Sequence, residues 1–130
     1  MSRILAVDTG DVRHGIALSD PSGTIARPLE ILLHSSRQRD AEKIIELAQH
    51  HDVQSVVVGI PYDDDGKIGP QARKALRMVD TLRGISTITV TTWDESGSTQ
   101  AAKRGQRQDP NLDARAAAVI LQDYLDAQSI

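Results

Sequence analysis

The sequence predicts an α/β domain. Its core is a mixed five-stranded sheet, with three antiparallel strands followed by parallel ones and helices on both faces. Three observations carry this. Strand-like runs at 4–7, 14–18 and 24–33 follow one another at hairpin spacing, with only short turns between. Helical periodicity then alternates with two further strand-like runs. Hairpins need antiparallel pairing, whereas strands separated by a helix need parallel crossovers, and a mixed sheet accommodates both. At 130 residues, all of 1–130 is expected to form one domain.

The elements follow in order. Ile4-Leu5-Ala6-Val7 is an apolar run ending at Asp8, and Asp8-Thr9-Gly10-Asp11 supplies turn residues before the returning strand His14–Leu18. Ser19–Gly23 is a second turn. Thr24–Leu33 is a third extended segment, and Pro28, which cannot donate to a ladder, assigns it to an edge. Ala41, Ile44, Ile45 and Ala48 fall at helical spacing, so Arg39–His51 is expected to be an amphipathic helix. Ser55–Ile60 is β-branched and bounded by Gly and Pro, the mark of a central strand buried on both faces. A loop to Pro70 leads into a helix over Gln71–Leu82, and Ser86–Trp93 is the last strand. A short helix over Thr99–Arg104, a loop, and an Asp109-Pro110 N-cap and N1 pair precede a final helix to about Asp126.

Composition narrows the function classes. Without Cys, disulfides, thiolate chemistry and Cys-type zinc sites are excluded. With no Phe, two Tyr and one Trp, few rings are available to stack bases, so any nucleic-acid contact must rest on backbone and electrostatics. A net charge of -3 argues against a protein that simply coats nucleic acid. It is compatible with an enzyme whose own carboxylates collect cations. Met1-Ser2-Arg3-Ile4 runs directly into a strand, so no signal peptide is expected. No apolar run approaches the ~20 residues of a membrane span, and the expected location is the cytoplasm.

The candidate chemistry lies in three acidic positions. Asp8 stands where a strand meets a turn; there it either projects a carboxylate from the sheet edge or caps the amide of Gly10 as an Asx turn. Asp94-Glu95 stands at a second strand end, as a site or as a solvated turn or N-cap. Asp113 shares a helix stripe with Ala117, Ile120 and Tyr124, where an acid is costly unless paired or metal-bound. It could equally complement the helix dipole. If the three converge, an all-oxygen ligand set suits Mg²⁺ or Mn²⁺ rather than zinc, and such ions support phosphodiester cleavage.

Other features carry weaker readings. The glycines of Gly59–Pro70 permit close backbone approach to a substrate, placing Gly59, Pro61 and Gly66 among candidate substrate contacts; an acidic surface loop is the alternative. Arg13 could hold a phosphate or pair with an acid. Arg73, Lys74 and Arg77 form one basic patch and Lys103, Arg104 and Arg107 another, solvated by default. His50-His51 reads as a helix-dipole partner and Trp93 as core.

Three segments together resemble the YqgF (RuvX) family of ribonuclease H-like proteins. Asp8 to Asp20 is similar to its opening pattern Asp-x-Gly-x-x-Arg-x-Gly-x-Ala-x-Ser-Asp. Gly59-Ile60-Pro61, Asp65-Gly66 and Gly69-Pro70-Gln71-Ala72 resemble its central loop. Asp94-Glu95 with Ser98-Thr99, and Asp113 before Ala116-Ala117, resemble its closing acids. The resemblance implies a ribonuclease H-like fold and a metal-dependent nuclease that trims the 5′ end of precursor 16S rRNA. Holliday-junction resolution is the rival role. It also implies Asp8, the Asp94-Glu95 pair and Asp113 as ligands of Mg²⁺ or Mn²⁺, with Thr99 beside the substrate.

The 96–112 segment is shorter than the family pattern. Related resolvases also carry an acid at the end of the fourth strand, where this chain has Gly59-Ile60-Pro61, so that ligand must come from the next strand. Glu95, one methylene longer, reaches across, while Asp94 suits the backbone amides of 96–98. The expected partner is structured RNA or branched DNA, bound by a monomer or weak homodimer, because no strong apolar stripe marks an interface. An actin-like phosphotransferase also begins with Asp-x-Gly but needs two lobes. A non-catalytic RNA-binding or ribosome-assembly module is the alternative outside enzymology.

Overall fold

A computed structural model describes residues 3–95 and 111–128, with side chains throughout except at 111–113. The elements are β1 (Arg3–Asp8), β2 (Arg13–Ser19), β3 (Ala26–Leu33), α1 (Arg37–His50), β4 (Val53–Ile60), α2 (Pro70–Ile85), β5 (Thr89–Asp94) and α3 (Asn111–Gln128). The expected helix over Thr99–Arg104 and the Asp109-Pro110 cap lie outside the described residues.

The strands form one sheet in the order β3-β2-β1-β4-β5. β1–β2 and β2–β3 are antiparallel, and β1–β4 and β4–β5 are parallel. Pro28 sits on the edge strand β3, where its missing N–H costs no ladder bond. The β2–β3 register passes from Ile16–Glu30 to Ala17–Pro28, so Leu29 is an extra residue on the bulged edge.

Alternation along the strands divides the core in two. Leu5, Val7, Ile16, Val56, Val58, Ile60 and Val90 face α1 and α2 and pack with Ile44, Ala48, Ala75 and Leu82. On the other face Ala6 and Ala17 meet Ala117, Leu121 and Leu125 of α3. Small side chains on both sides of this second contact let the helix axis approach the sheet closely.

Element ends differ from the periodicity where contacts other than the apolar stripe decide them. α1 begins at Arg37 because the Oγ of Ser36 accepts from the Arg39 amide (3.2 Å) and caps the helix. α2 runs past Leu82 through Gly84 to Ile85. Its last turn is tied to the sheet by Arg83, whose Nη2 donates to the Val90 carbonyl (2.7 Å). β5 therefore starts at Thr89 rather than Ser86, and the Ile88 amide is turned onto Ser86 Oγ (3.1 Å). α3 continues to Gln128.

Candidate active site

β1, β4 and β5 run parallel, so their C-terminal ends meet at one edge of the sheet. That edge is where open α/β sheets place ligands. Asp8 closes β1 and is 2% exposed. It shares the parity of Ala6 and so faces α3. Val7 pairs with Val58, which makes Gly59 the lateral neighbour of Asp8 one residue further on, at a strand spacing of about 4.8 Å.

Glu95 follows β5 and is 1% exposed. Its amide donates to the Ile60 carbonyl (3.2 Å), which holds the chain against the end of β4. The side chain then lies back over Gly59. A Cβ added at Gly59 would collide with the Glu95 carboxylate and would come within 2.7 Å of Ile120 Cδ1. Two buried carboxylates thus share the α3 face of the sheet, at the ends of the two strands that flank β4, with the glycine of β4 between them. The space beside Gly59, read from sequence as room for substrate, is filled by protein, because Gly59 is the position that admits Glu95.

Asp94 is exposed and has the parity of Val90, placing it on the α1/α2 side of the sheet. The adjacent acids therefore serve different faces. Trp93 stacks edge to face on Tyr124 of α3 (centroids 5.7 Å apart) and is half-buried. This contact ties the end of β5 to the helix. Asp113 lies in the first turn of α3, four and seven residues before Ala117 (0% exposed) and Ile120 (1%), the stripe turned to the sheet. Its side chain, and Thr99, lie outside the described residues.

Arg13 begins β2 with the parity of Ala17, hence on the face of Asp8. Pro61 follows β4 directly and is half-buried. Gly66, with φ +77°, is exposed in the following loop, where the Asp63 carboxylate accepts from the amides of Asp65 (3.0 Å) and Lys67 (2.6 Å). Three acids in sequence thus include one that builds the turn.

The opposite face holds a cluster that sequence spacing does not announce. Gly10 donates its amide to His14 Nδ1 (3.2 Å), so that amide is bonded by an imidazole, as the Asx-turn alternative for Asp8 did not foresee. The His14 proton is therefore on Nε2, which donates to Asp40 Oδ2 (2.8 Å). His34 Nδ1 donates to the same oxygen (2.5 Å), and the Ser35 amide donates to Oδ1 (3.0 Å). Burial pushes the Asp40 carboxyl up, but the bonds from His34, His14 and Ser35 outweigh it and hold the group below the ordinary carboxylate value.

Ligand atoms of His14, His34 and Asp40 lie within 4.8 Å of one another. Metal-bound imidazoles donate their second N–H, however, and His14 instead accepts on that side. Hydrogen bonding accounts for this cluster, and the all-oxygen set around Gly59 is the one suited to Mg²⁺ or Mn²⁺.

Because its folded-state value is depressed, Asp40 contributes stability above the ordinary carboxylate pKa and loses it as the pH falls through the lower folded value. Asp40→Ala is expected to cost about 3 kcal/mol at neutral pH, the scale for uncovering a buried hydrogen-bonded charge partner. Urea melts at pH 7 and below about pH 4 check this. The gap between variant and parent should narrow in acid, and a variant within 0.5 kcal/mol of the parent at pH 7 excludes the structural role.

A sheet in this order, with acids gathered at the C-terminal edge beside a helix, defines the class: a ribonuclease H-like fold of the resolvase type. Solved neighbours agree at the level of fold. RuvC of Thermus thermophilus, solved with a Holliday junction substrate, superposes with a TM-score of 0.63 at 16% identity, covering 99% of this chain and 96% of that one. The fowlpox virus Holliday junction resolvase gives 0.58 at 13% identity, covering 96% and 99%.

The chain belongs to the RuvX family, described as Holliday junction resolvase, whose model matches residues 2–127. Among curated relatives, a protein of Thermoanaerobacter pseudethanolicus is 36% identical over 135 residues, covering 97% of each chain. One of Symbiobacterium thermophilum is 38% identical over 135 residues, covering 98% of this chain and 94% of the relative. Both are named, provisionally, as pre-16S rRNA nucleases. Among the described residues, no helix is long and apolar enough to cross a membrane.

Proposed function

We propose that this protein is a metal-dependent endonuclease that hydrolyses phosphodiester bonds in structured RNA, trimming the 5′ end of precursor 16S rRNA. The observation that carries the reading is the convergence of Asp8 and Glu95, both buried, on one sheet face across Gly59. Burying a carboxylate is costly unless it is paired or coordinates a metal. The convergence supports assignment of Asp8, Glu95 and Asp113 as the ligands of Mg²⁺ or Mn²⁺.

Bound there, the ion would supply Lewis acidity toward the phosphate and an activated water. The chain itself contributes position. β1 and the Glu95–Ile60 backbone bond hold two carboxylates on a rigid sheet edge, and α3 brings the backbone of Asp113 to the same face. Arg13, on that face, is assigned to a substrate phosphate, and Pro61, Gly66 and Thr99 are assigned to further substrate contacts. Asp94 supports the turn from its own side. The protein is taken to act in the cytoplasm, as a monomer or weak homodimer.

Two measurements test this. Mn²⁺ at a hundred times its Kd should stabilise the parent by about 2.7 kcal/mol, and Asp8→Asn should lose that gain. A non-catalytic assembly module would show no metal-linked shift in Tm. Cleavage assays in Mg²⁺ and Mn²⁺ on a precursor-rRNA mimic and a four-way DNA junction, run in parallel, separate the substrates. The family description and the RuvC likeness favour the junction as second reading. Symmetric paired nicks, together with a stable dimer in light scattering, would establish it in place of RNA trimming.

A further inference from the structure

On the side of the Thr9–Asp11 turn away from the carboxylates lies a cavity of about 270 Å³. The N-terminal end of α1 and the residues Lys74, Arg77 and Met78 along α2 close it, and its cations are Arg37, Lys74 and Arg77. Lys74 is bonded to Asp11, whose carboxyl is held below the ordinary value chiefly by that bond. Asp40, the other acid of the lining, is occupied by His14, His34 and the Ser35 amide. Among the described residues, neither Arg37 nor Arg77 is in an ion pair, so two exposed guanidinium groups face one concavity with its acids already engaged. Arg37 is also the first residue of α1, where amide dipoles add positive potential. In a chain of net charge -3 this is a local reversal of sign.

We propose that this cavity is a phosphate subsite for the nucleic-acid strand, with Arg37 and Arg77 holding a backbone phosphate beyond the scissile bond. The inference rests on the nuclease reading and adds a strand path to it. Asp8 leads into the turn whose next residues, Thr9 and Gly10, line the cavity, so the carboxylate site and the cavity share one stretch of backbone. A strand crossing the sheet edge at Asp8 therefore continues over the turn into the cavity. Guanidinium forks match phosphate oxygens bidentately. The lining includes no Phe, Tyr or Trp, and its two imidazoles are engaged by Asp40, so the site reads charge rather than sequence.

The test is binding without cleavage. Fluorescence anisotropy of labelled single-stranded RNA and DNA 12-mers is measured in EDTA over a range of salt, with the parent, the double variant Arg37→Ala/Arg77→Ala, and the control Lys43→Ala/Arg73→Ala on exposed positions of the same helices outside the cavity. Removing two phosphate contacts should weaken binding roughly tenfold at low salt and reduce the salt slope by about 1.4, and the control should change neither. Equal affinity and slope for the parent and the Arg37/Arg77 variant overturn the subsite alone. A parent that binds neither strand also overturns the subsite, while the nuclease reading stands or falls separately on the metal-linked melt and the metal-supplemented cleavage assays. Inorganic phosphate that saturates the cavity yet leaves strand binding unaffected assigns it to a free anion and likewise overturns the strand subsite.

Discussion

Glu95→Gln is expected to lower the cleavage rate roughly 10²- to 10³-fold, about 3–4 kcal/mol of transition-state stabilisation, the scale seen when one electrostatic group is removed from a preorganised site. The substitution keeps the shape of a side chain that is 1% exposed and lies over Gly59, so the space beside Gly59 stays filled. Without metal, the variant should melt at the parent temperature or slightly above it. Two carboxylates on one sheet face, at the ends of the strands flanking β4, repel until a cation neutralises them, and an amide removes one of the charges. Asp8→Asn and Asp113→Asn are expected to behave in the same way. Asp94→Asn, exposed on the opposite face, should retain cleavage and lose stability before activity, because Asp94 is assigned to supporting the turn after β5. Single-turnover cleavage and metal-free thermal melts decide the matter. A Glu95→Gln protein that melts well below the parent makes the glutamate a structural group, and an inactive Asp94→Asn moves the ligand to its neighbour.

Gly59→Ala is expected to destabilise the protein by about 1–3 kcal/mol, the cost of overpacking a filled interior, and to remove most of the cleavage activity as well. The new methyl would occupy the place of the Glu95 carboxylate on one side and approach Ile120 on the other. Ile120 belongs to the helix packed on that face and cannot withdraw alone, so Glu95 is the group that moves. The carboxylate then leaves the neighbourhood of Asp8. A double-mutant cycle separates this from a general strain effect. In a Glu95→Ala background the cost of Gly59→Ala should fall by roughly 1 kcal/mol or more, as for directly contacting residues. Additive penalties would show that Glu95 does not fill the space at Gly59.

Strand order was largely legible in the chain. Hairpin spacing up to Leu33, followed by alternation of helix and strand, leaves few arrangements other than the mixed sheet, and Pro28 assigns β3 to an edge through its missing N–H. These signals are local, since each depends on backbone chemistry within a few residues. The acids at strand ends were visible for the same reason, as were the helical stripe carrying Asp113 and the resemblance that linked them.

Other features rest on contacts that sequence spacing does not encode. Alternation separates Asp94 from Glu95 but does not say which side α3 covers; the packing of Ala6 and Ala17 against Ala117 and Leu121 decides that. The glycine at 59 has a reason only once Glu95 and Ile120 are brought over it from positions 36 and 61 residues away. Asp40 in the first turn of a helix reads as an ordinary dipole partner. Its bonds to His14, 26 residues away, and to His34 across the start of α1 exist only because β2 and α1 pack together. The sequence by itself determined the elements, their order and the positions able to carry acid chemistry, because propensity, turns and periodicity act locally. Tertiary structure alone decided which acid faces the helix, why position 59 has no side chain and where the positive cavity lies, because side chains distant in the chain meet only after the sheet and helices have packed.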